Sequence, residues 1–294
     1  MPAICDYEGS RYSTEFWTPE RQFENLADRA ALRALLPPRG ETLIEVGAGF
    51  GRLADLYTGY RRVVLFDYAR TLLQEARERL RDDPRFLFVA GNVYEMPFAT
   101  GVFDSLVMVR VLHHLEDVPT VLAQLARVAR PQATFVLEFA NKRHLKAIVR
   151  YLLRRQDWSP FDSEPHPFVP LNYDFHPRWV RAQLRAAGFR PQQTRAVSHF
   201  RIPWLKRHVP PHVLARLDAL LQRPGALFEI SPSVFVRSRL EKESGLAAPL
   251  AFRCPRCGYE PIPIREDDVL CPQCGAVWEF EGGIYDFKEA RSGS

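Results

Sequence analysis

The residues best suited to ligand chemistry lie between Leu43 and Gly51, in the run Leu-Ile-Glu-Val-Gly-Ala-Gly-Phe-Gly. A short apolar run ends in an acid and a valine, and glycines then alternate with larger residues. Glycine allows a sharp turn and lets a ligand lie against bare backbone. The dinucleotide fingerprint G-x-G-x-x-G needs a glycine where this chain has Arg52. The loop therefore predicts a ligand other than a dinucleotide.

The next two predicted strands each end beside a residue suited to the same ligand. Arg62 to Phe66 predicts a buried strand, and Asp67 follows it directly. A carboxylate at this point can accept hydrogen bonds from both hydroxyls of a ribose. Phe86 to Val89 predicts a third strand, which leads into the turn Gly91-Asn92-Val93. Ligands of α/β sheets bind beyond the carboxyl ends of the strands, so we expect these side chains to share one site.

The order of these motifs resembles that of class I S-adenosylmethionine (SAM) methyltransferases. The resemblance covers roughly residues 40 to 140 and is closest to the ubiquinone and menaquinone biosynthesis type. It continues through a strand (Phe103 to Val109), the turn Leu112 to Asp117, a helix (Val118 to Ala129) and a strand (Thr134 to Glu138). The resemblance implies that the ligand is SAM or its product S-adenosylhomocysteine, neither of which has a pyrophosphate.

The resemblance also implies which residues bind the methyl donor. They are Glu45, Gly47, Ala48, Gly49, Gly51, Asp67, Tyr68, Asn92, Val93 and Val109. Asn92 departs from the family pattern, which usually has an aspartate that holds the adenine amino group. The side-chain carbonyl of asparagine can accept the same hydrogen bond, so Asn92 is kept in the predicted site.

Four of the five cysteines form two short motifs, Cys254-Pro-Arg-Cys257-Gly and Cys271-Pro-Gln-Cys274-Gly. Proline and glycine shape each turn so that both thiolates face one metal, and two such turns supply a tetrahedral Zn²⁺ site. Four protein ligands leave no open position, so we expect the zinc to be structural. The lack of a signal-peptide pattern argues against two disulfides. Val277 to Phe287 resembles the closing strand of the small zinc-ribbon proteins that activate tRNA methyltransferases.

The resemblances together imply an α/β fold with a doubly wound, seven-stranded Rossmann-like methyltransferase sheet. The last strand is expected to be antiparallel, and a helix is expected to open at Arg52. Residues 1–40 are predicted to form an N-terminal aromatic segment and a helix, residues 41–240 the methyltransferase domain, and residues 250–288 a zinc ribbon. Residues 139–177 are predicted to be an insertion that acts as a lid, and Glu241 to Pro249 a linker.

Composition narrows the classes of partner. The chain has 294 residues and a net charge of +5, which is mild for a nucleic-acid-binding protein and does not decide that question. No run approaches the roughly 18 apolar residues of a membrane helix, so we expect no membrane partner. Without a signal-peptide pattern, a cytoplasmic location is expected. The sequence leaves the oligomeric state open, including a homodimer.

Acceptor recognition must come from segments that the core motifs do not use. Three segments qualify: the N-terminal aromatic segment, the turn after the fourth strand and the insertion. The predicted substrate-contacting residues are Tyr12, Trp17, Arg110, Tyr173 and Asp174. A general base is needed only for an acceptor hydroxyl or a protonated amine, and histidine suits that role near neutral pH. The candidate catalytic residues are His113, His114 and His176. Each histidine also has a structural interpretation, as a packing residue or a helix cap.

Three functions are compatible with these motifs. The first, which we favour, is methyl transfer to a small-molecule acceptor, with O-, N- or C-methylation undetermined. The second is methylation of tRNA or rRNA, with the ribbon docking the substrate. Against it, residues 109–112 read Val-Arg-Val-Leu after the fourth strand, where enzymes that methylate amides and exocyclic amines have an N-P-P-Y motif. In addition, acidic residues of the predicted ribbon offset the charge of its arginines. The third is a non-catalytic SAM-binding scaffold, which the intact glycine loop and Asp67 disfavour.

Overall fold

The computed structural model describes residues 2–241 and 248–291. Most of the predicted linker, Glu241 to Pro249, lies outside the described residues. The strands are β1 (Gly40–Val46), β2 (Tyr60–Asp67), β3 (Phe86–Ala90), β4 (Phe103–Met108), β5 (Ala129–Ala140), β6 (His166–Val169), β7 (Asn172–Asp174), β8 (Phe189–Val197), β9 (Ser233–Leu240), β10 (Val269–Leu270), β11 (Val277–Glu281) and β12 (Ile284–Arg291). The helices are α1 (Gln22–Leu35), α2 (Arg70–Leu80), α3 (Val118–Val128), α4 (Leu145–Leu152), α5 (Pro177–Ala186), α6 (Pro203–His208) and α7 (Pro211–Gly225).

The main sheet confirms the predicted α/β class. Its order is β10-β11-β12-β3-β2-β1-β4-β5-β9-β8, and the last seven strands are those expected of a methyltransferase. β1 to β5 pair in parallel, whereas β9 runs antiparallel between β5 and β8. The central strands carry near-continuous apolar runs because helices cover both faces of the sheet. One face packs on α1, α2 and α7, and the other packs on α3 and α5.

The chain after the glycine loop differs from the expectation of a helix opening at Arg52. A single 3₁₀ turn, Ala54–Leu56, connects the loop to β2. Only eight residues, 52–59, lie between the last glycine of the loop and the start of β2, and they must return the chain to a strand parallel to β1. Leu53, Ala54 and Tyr57 are buried in this connection and fill the space under the sheet.

The insertion after β5 is partly regular. It contains the helix α4, Leu145–Leu152, and the His144 ring caps this helix by accepting from Ala147 N at 3.2 Å. Further along the insertion, β6 pairs with β7 in a two-stranded antiparallel hairpin. The hairpin turn lies at residues 170–171, where Leu171 has φ +54°. This hairpin is the part of the insertion nearest the turn that follows β4.

The cysteine-rich segment continues the main sheet. β12 pairs in parallel with β3, in the register Ile284↔Phe88, and β11 and β10 follow outward as antiparallel strands. Phe252 pairs with Phe98 and lies against the same core as Phe66. The ribbon therefore covers the sheet edge that β3 would otherwise expose. No helix in the described part of the chain is long and apolar enough to cross a membrane.

Candidate functional site

A cavity lies at the carboxyl ends of β1, β2 and β3, where the topology switches between β1 and β4. The N-terminal segment, the glycine loop and the turn after β4 line it together. The lining residues are Ala3, Ile4, Cys5, Tyr7, Tyr12, Val46, Gly47, Gly49, Phe66, Asp67, Tyr68, Leu72, Gly91, Val93, Tyr94, Arg110, Val111, His114 and Leu115. Most of these side chains are apolar, so the few polar groups determine how a ligand is oriented.

The glycine loop and Asp67 form one hydrogen-bonded unit. Gly49 N donates to Asp67 Oδ2 at 2.7 Å, and Ala69 N donates to Oδ1 at 2.9 Å. Gly47 has φ +71°, and a Cβ at that position would lie 2.1 Å from Val111 Cγ2. Burial raises the pKa of Asp67, while these backbone N–H groups oppose that effect. The loop therefore needs glycine, and backbone N–H groups hold the Asp67 carboxylate in place at the cavity wall.

The N-terminal segment roofs the cavity and is tied to α2. Glu8 accepts from Arg70 N at 2.8 Å and from Thr71 N at 3.0 Å, which satisfies the free N–H groups at the start of α2. Gly9 N donates to Thr71 Oγ1 at 3.0 Å. Lys288 of β12 lies 3.3 Å from Glu8 Oε2, so the ribbon contacts the same anchor.

His114 is the one predicted catalytic histidine that lines this cavity. Its Nδ1 lies 3.2 Å from the Leu171 carbonyl oxygen, and its Nε2 lies 3.1 Å from the Tyr7 hydroxyl. A carbonyl can only accept, so Nδ1 carries the proton and Nε2 accepts from Tyr7. Burial lowers the pKa of His114, and the Leu171 carbonyl partly opposes this. The imidazole is therefore neutral at neutral pH, and its unprotonated Nε2 is the basic nitrogen that accepts from Tyr7.

Arg110 contributes a fixed positive charge beside the cavity. Its Nε lies 2.8 Å from Asp28 Oδ2, and its backbone N–H donates to Glu138 Oε2 at 2.8 Å, which holds φ at +60°. Burial alone would lower the pKa of Arg110, but the carboxylates of Asp28 and Glu138 outweigh it and raise the pKa. The Trp17 ring lies 5.2 Å from the Arg110 guanidinium, whereas Tyr12 reaches the cavity itself.

Several residues predicted to bind the donor lie just outside the cavity. Ala48, Gly51 and Val109 belong to the surrounding loop and strand end. Glu45 is buried on β1, where burial raises its pKa to about 7 even though Tyr57 and Arg52 lower it. Asn92 caps the following 3₁₀ turn by accepting from Tyr94 N at 2.9 Å. Its side chain lines a neighbouring pocket with Asp6, Tyr68 and Lys288 rather than the main cavity.

The other predicted catalytic and substrate-contacting residues do not line the cavity. His113 packs on His114, with ring centroids 4.0 Å apart, and burial followed by the charges around it lowers its pKa. His176 caps α5 by accepting from Arg178 N at 3.2 Å. Tyr173 packs against the sheet core in β7. Burial raises the pKa of the neighbouring Asp174 to about 6, against the charges of Arg150, Arg201 and Lys142.

Residues that the sequence-based site omitted complete the cavity. Tyr7 belonged to the aromatic segment singled out from the sequence, and Val111 and Leu115 flank the two histidines. Cys5 and Ile4 come from an extended stretch without a motif. Only the three-dimensional path of the N-terminus brings that stretch over the glycine loop. Aromatic density was the one signal that could have indicated a role for this segment.

The four ribbon cysteines are arranged for one metal ion. All four Sγ atoms lie within 4.8 Å of one another, and the pairs Cys254–Cys274 and Cys257–Cys271 are 3.6 Å and 3.5 Å apart. Sulfurs bound to Zn²⁺ at about 2.3 Å in a tetrahedron are roughly 3.8 Å apart. Gly258 and Gly275 have φ of +79° and +71° and donate to the carbonyls of Cys254 and Cys271. The two motifs thus fold as matching turns that fit a tetrahedral metal.

The chain is similar in sequence and in fold to SAM-dependent methyltransferases. A family described as "Methyltransferase domain" matches residues 44–137. A demethylmenaquinone methyltransferase of Clavibacter sepedonicus is 26% identical over 156 residues, 53% of this chain and 55% of that protein. The same-named protein of Beutenbergia cavernae is 30% identical over 142 residues, 48% and 52% of the two chains. The chain spans about half the length of these curated relatives.

Solved structures show the same fold. A SAM-dependent methyltransferase structure from Listeria monocytogenes aligns with 75% of this chain and 99% of its own, with a TM-score of 0.54 and 12% identity. A complex of the Haloferax volcanii Trm112 methyltransferase activator with a methyltransferase contains a chain that aligns with 76% of this one and 94% of its own. Its TM-score is 0.52 and its identity is 17%. Residues 44–137 thus match a methyltransferase domain, and the chain has the fold of SAM-dependent methyltransferases.

Proposed function

We propose that the protein transfers a methyl group from SAM to a small, largely apolar acceptor. The observation that carries this proposal is the Asp67 carboxylate beside the glycine loop. Gly49 N and Ala69 N each donate to one Asp67 oxygen and so fix the carboxylate, and a carboxylate fixed at this point suits the hydroxyls of a ribose. Among the lining residues, Arg110 is the one lysine or arginine, and Asp28 already pairs with it. A cavity whose one cation is already paired suits an adenosyl ligand that lacks phosphate.

The donor would be held by Gly47, Gly49, Asp67, Tyr68 and Val93, which line one cavity. Bound SAM supplies a methyl group activated by its sulfonium, and transfer is an in-line displacement by the acceptor. The work of the chain is to align the two reactants and exclude water, and alignment can contribute roughly 7–11 kcal/mol. The N-terminal roof, anchored through Glu8, supplies that exclusion on the outer side.

His114 is our candidate general base. Its Nε2 is unprotonated at neutral pH and faces the cavity through the Tyr7 hydroxyl. An acceptor hydroxyl could give its proton to Nε2 directly, or to the Tyr7 oxygen while Tyr7 passes its own proton to Nε2. His113 would act by packing and His176 by capping α5, which leaves His114 as the histidine suited to proton transfer.

The names of relatives favour a quinol-type acceptor. The relatives include demethylmenaquinone methyltransferases and a 2-phytyl-1,4-naphtoquinone methyltransferase of Trichormus variabilis, which is 31% identical over 108 residues. An apolar cavity with one basic nitrogen fits a ring that carries a hydroxyl. The hydroxyl would be deprotonated at His114, and the electron-rich ring or its oxygen would then attack the methyl group.

The insertion of residues 139–177 is proposed to form the lid of the acceptor side. The carbonyl of Leu171, at the tip of the β6–β7 hairpin, contacts His114, so the hairpin closes one side of the cavity mouth. Tyr173 and Asp174 follow in β7 and are the nearest proposed acceptor contacts on this element. Movement of the hairpin would break one hydrogen bond to His114 and open a route for the acceptor.

Zn²⁺ is proposed to be the metal of the ribbon, bound by Cys254, Cys257, Cys271 and Cys274. The sulfur spacing and the paired turns support a tetrahedral, four-thiolate site. Its role would be structural, because the site lies in the outer part of the sheet. β12 pairs with β3 and places Lys288 beside Glu8. The metal would therefore stabilise the strand that supports the cavity roof.

The experiment that tests this function supplies methyl-labelled SAM with competing acceptors. Purified protein is incubated with a reduced, demethylated naphthoquinone that has a short isoprenoid tail, or with unfractionated tRNA and rRNA. We expect label in the organic-extractable naphthoquinol and background label in RNA. Label in RNA would favour the RNA methyltransferase alternative. SAM binding without transfer to the naphthoquinol would contradict the proposed acceptor class and favour the scaffold alternative.

A further inference from the structure

Two helices of the acceptor-side region leave apolar stripes exposed. α7 buries Leu214, Ala215, Asp218 and Gln222 against the domain, yet its opposite face carries leucines and valine. Leu220 in that stripe is 75% exposed. In α4 only Ala147 is buried, and Leu145, Val149, Leu152 and Leu153 are all exposed. Exposed apolar side chains are common singly, but aligned stripes on neighbouring helices mark an interaction surface.

The two stripes belong to one surface. Leu227 and Phe228 follow directly after α7 and are 82% and 65% exposed. The chain then reaches Ile230, whose carbonyl accepts from the N–H of Leu145, the first residue of α4, at 2.8 Å. We call this surface the apolar face, which consists of the exposed apolar residues of α4, of α7 and of residues 227–228.

The apolar face is bordered by positive charge. Residues 142–155 and 202–228 contain ten lysines and arginines and a single acid, Asp218. Asp218 is fully buried and bonded to His199, so it does not offset the surface charge. Exposed cations without an ion pair in the described part of the chain include Lys146, Arg154, Arg155, Arg207, Arg216 and Arg223. The border thus offers unpaired cations around an apolar centre.

We propose that the apolar face docks on an anionic lipid bilayer. Helices with leucines on one side and basic residues at the border lie in the membrane interface, with apolar side chains among the acyl chains and cations at the headgroups. Trp204, 61% exposed on α6, has the amphipathic ring that prefers this interface. No membrane partner was expected from the sequence because no apolar run is long enough to span a bilayer. The apolar face would bind to the bilayer surface without spanning it.

Two other occupants fit the surface less well. A second copy of this chain would bring two borders of like charge together, which disfavours association. A nucleic acid would neutralise the cations, but leucine side chains neither stack on bases nor read base edges. An anionic bilayer satisfies both the apolar centre and the basic border.

Docking here would bring the catalytic cavity to the source of a lipid-soluble acceptor, a consequence that rests on the proposed function. α4 and the β6–β7 hairpin belong to the same insertion, and the hairpin tip contacts His114. Tyr151 at the end of α4 lies 6.0 Å from the half-exposed Phe161 ring, ring centroid to centroid. The apolar face is therefore continuous with the proposed lid, and an acceptor could move from the bilayer to the cavity without crossing water.

The test is co-flotation of the full chain with vesicles. One set contains only phosphatidylcholine, and the other contains equal parts of phosphatidylcholine and phosphatidylglycerol. We expect at least tenfold tighter binding to the anionic vesicles, weakening as salt is raised. Leu152→Glu and Leu220→Glu should each reduce binding more than tenfold. The matched control is Leu270→Glu on β10, a site 57% exposed in the ribbon, which should bind as wild type does.

The outcomes separate the alternatives. Absence of binding to anionic vesicles at low salt, or equal binding by Leu152→Glu and Leu270→Glu, would overturn the proposal. Sedimentation showing a dimer that Leu220→Glu converts to a monomer would assign the apolar face to a second copy. Salt-sensitive tRNA binding by the wild type that outcompetes the vesicles would assign the surface to nucleic acid. Vesicle binding needs neither SAM nor an acceptor, so its failure is distinguishable from failure of the proposed methyl transfer.

Discussion

At the scale of single residues, the Tyr7–His114 pair sets the chemistry of the cavity. The Leu171 carbonyl fixes the proton on Nδ1, so the nitrogen that faces the cavity is the basic one. Burial lowers the pKa of His114, which keeps the ring neutral at pH values where a solvated histidine would be protonated. The same burial raises the pKa of Tyr7, so its phenol stays protonated and can donate.

This pair leads to a prediction about catalysis. Replacing His114 by asparagine should lower kcat by about 100-fold or more, because one general base contributes about that factor. SAM affinity should change less than threefold, since Asp67 and the glycine loop are untouched. The matched control is His113→Asn, which alters the adjacent ring that does not line the cavity. It should keep kcat within a few-fold of wild type.

The pH profile gives an independent readout of the same base. Because burial lowers the pKa of His114 from its ordinary value, the acid limb of the rate should be centred below pH 6.5. An acid limb centred at or above 6.5 would contradict the assignment. So would His114→Asn retaining the wild-type kcat.

At the scale of elements, the edge strand β3 explains why the cysteine ribbon is part of this chain. β3 is the last strand of the methyltransferase sheet on its side, and β12 pairs with it in parallel. Arg253 N donates to the Pro97 carbonyl at 3.0 Å, and Ala99 N donates to the Ala251 carbonyl at 3.0 Å. Phe252 then packs with Phe98, with ring centroids 6.1 Å apart. Ribbon and sheet share one apolar core rather than touching at a boundary.

Loss of the proposed zinc should therefore destabilise the whole molecule. Cys271→Ser removes a buried cysteine of the proposed site and should lower the free energy of unfolding by at least about 3 kcal/mol, in one cooperative transition. The matched control, Cys5→Ser, alters a free cysteine outside the cluster and should melt within a degree or two of wild type. Metal analysis should find one zinc per chain in wild type. Two separate melting transitions would show that the ribbon folds independently and would contradict the shared core.

Elements were predictable from the sequence where periodicity and length agreed. α3 begins at Val118 as predicted and ends one residue before the predicted Ala129, since its apolar spacing, its proline and its Asp117 cap agree. The helix expected at Arg52 was wrong because the connection to β2 is short and forms a single 3₁₀ turn instead. The ribbon's place in the sheet could not be predicted, since strand pairing across about 200 residues leaves no local signal.

At the scale of the whole molecule, the cavity exists because distant segments meet. Motif order identified the glycine loop and Asp67, since these lie on consecutive strands of a known topology. The sequence predicted a role for the N-terminal aromatic segment, but its path could not be predicted, because no periodic pattern indicates the contacts that Glu8 and Gly9 make with α2. The ribbon reaches the same roof through Lys288. The glycine loop with Asp67, the roof and the ribbon are thus joined by direct contacts.

The measurement that tests this account most directly is calorimetric titration of S-adenosylhomocysteine and its 2′-deoxyadenosyl analogue into wild type and Asp67→Ala. Wild type should bind S-adenosylhomocysteine, and its binding free energy for the analogue should be less favourable by about 1.5–3 kcal/mol, the contribution of a hydrogen bond to a charged group. Asp67→Ala should bind weakly and distinguish the two ligands by less than about 0.5 kcal/mol. Asp82→Ala, at an exposed acid beyond α2, serves as the charge-matched control. Equal affinity of wild type for both ligands, or full discrimination by folded Asp67→Ala, would contradict the account.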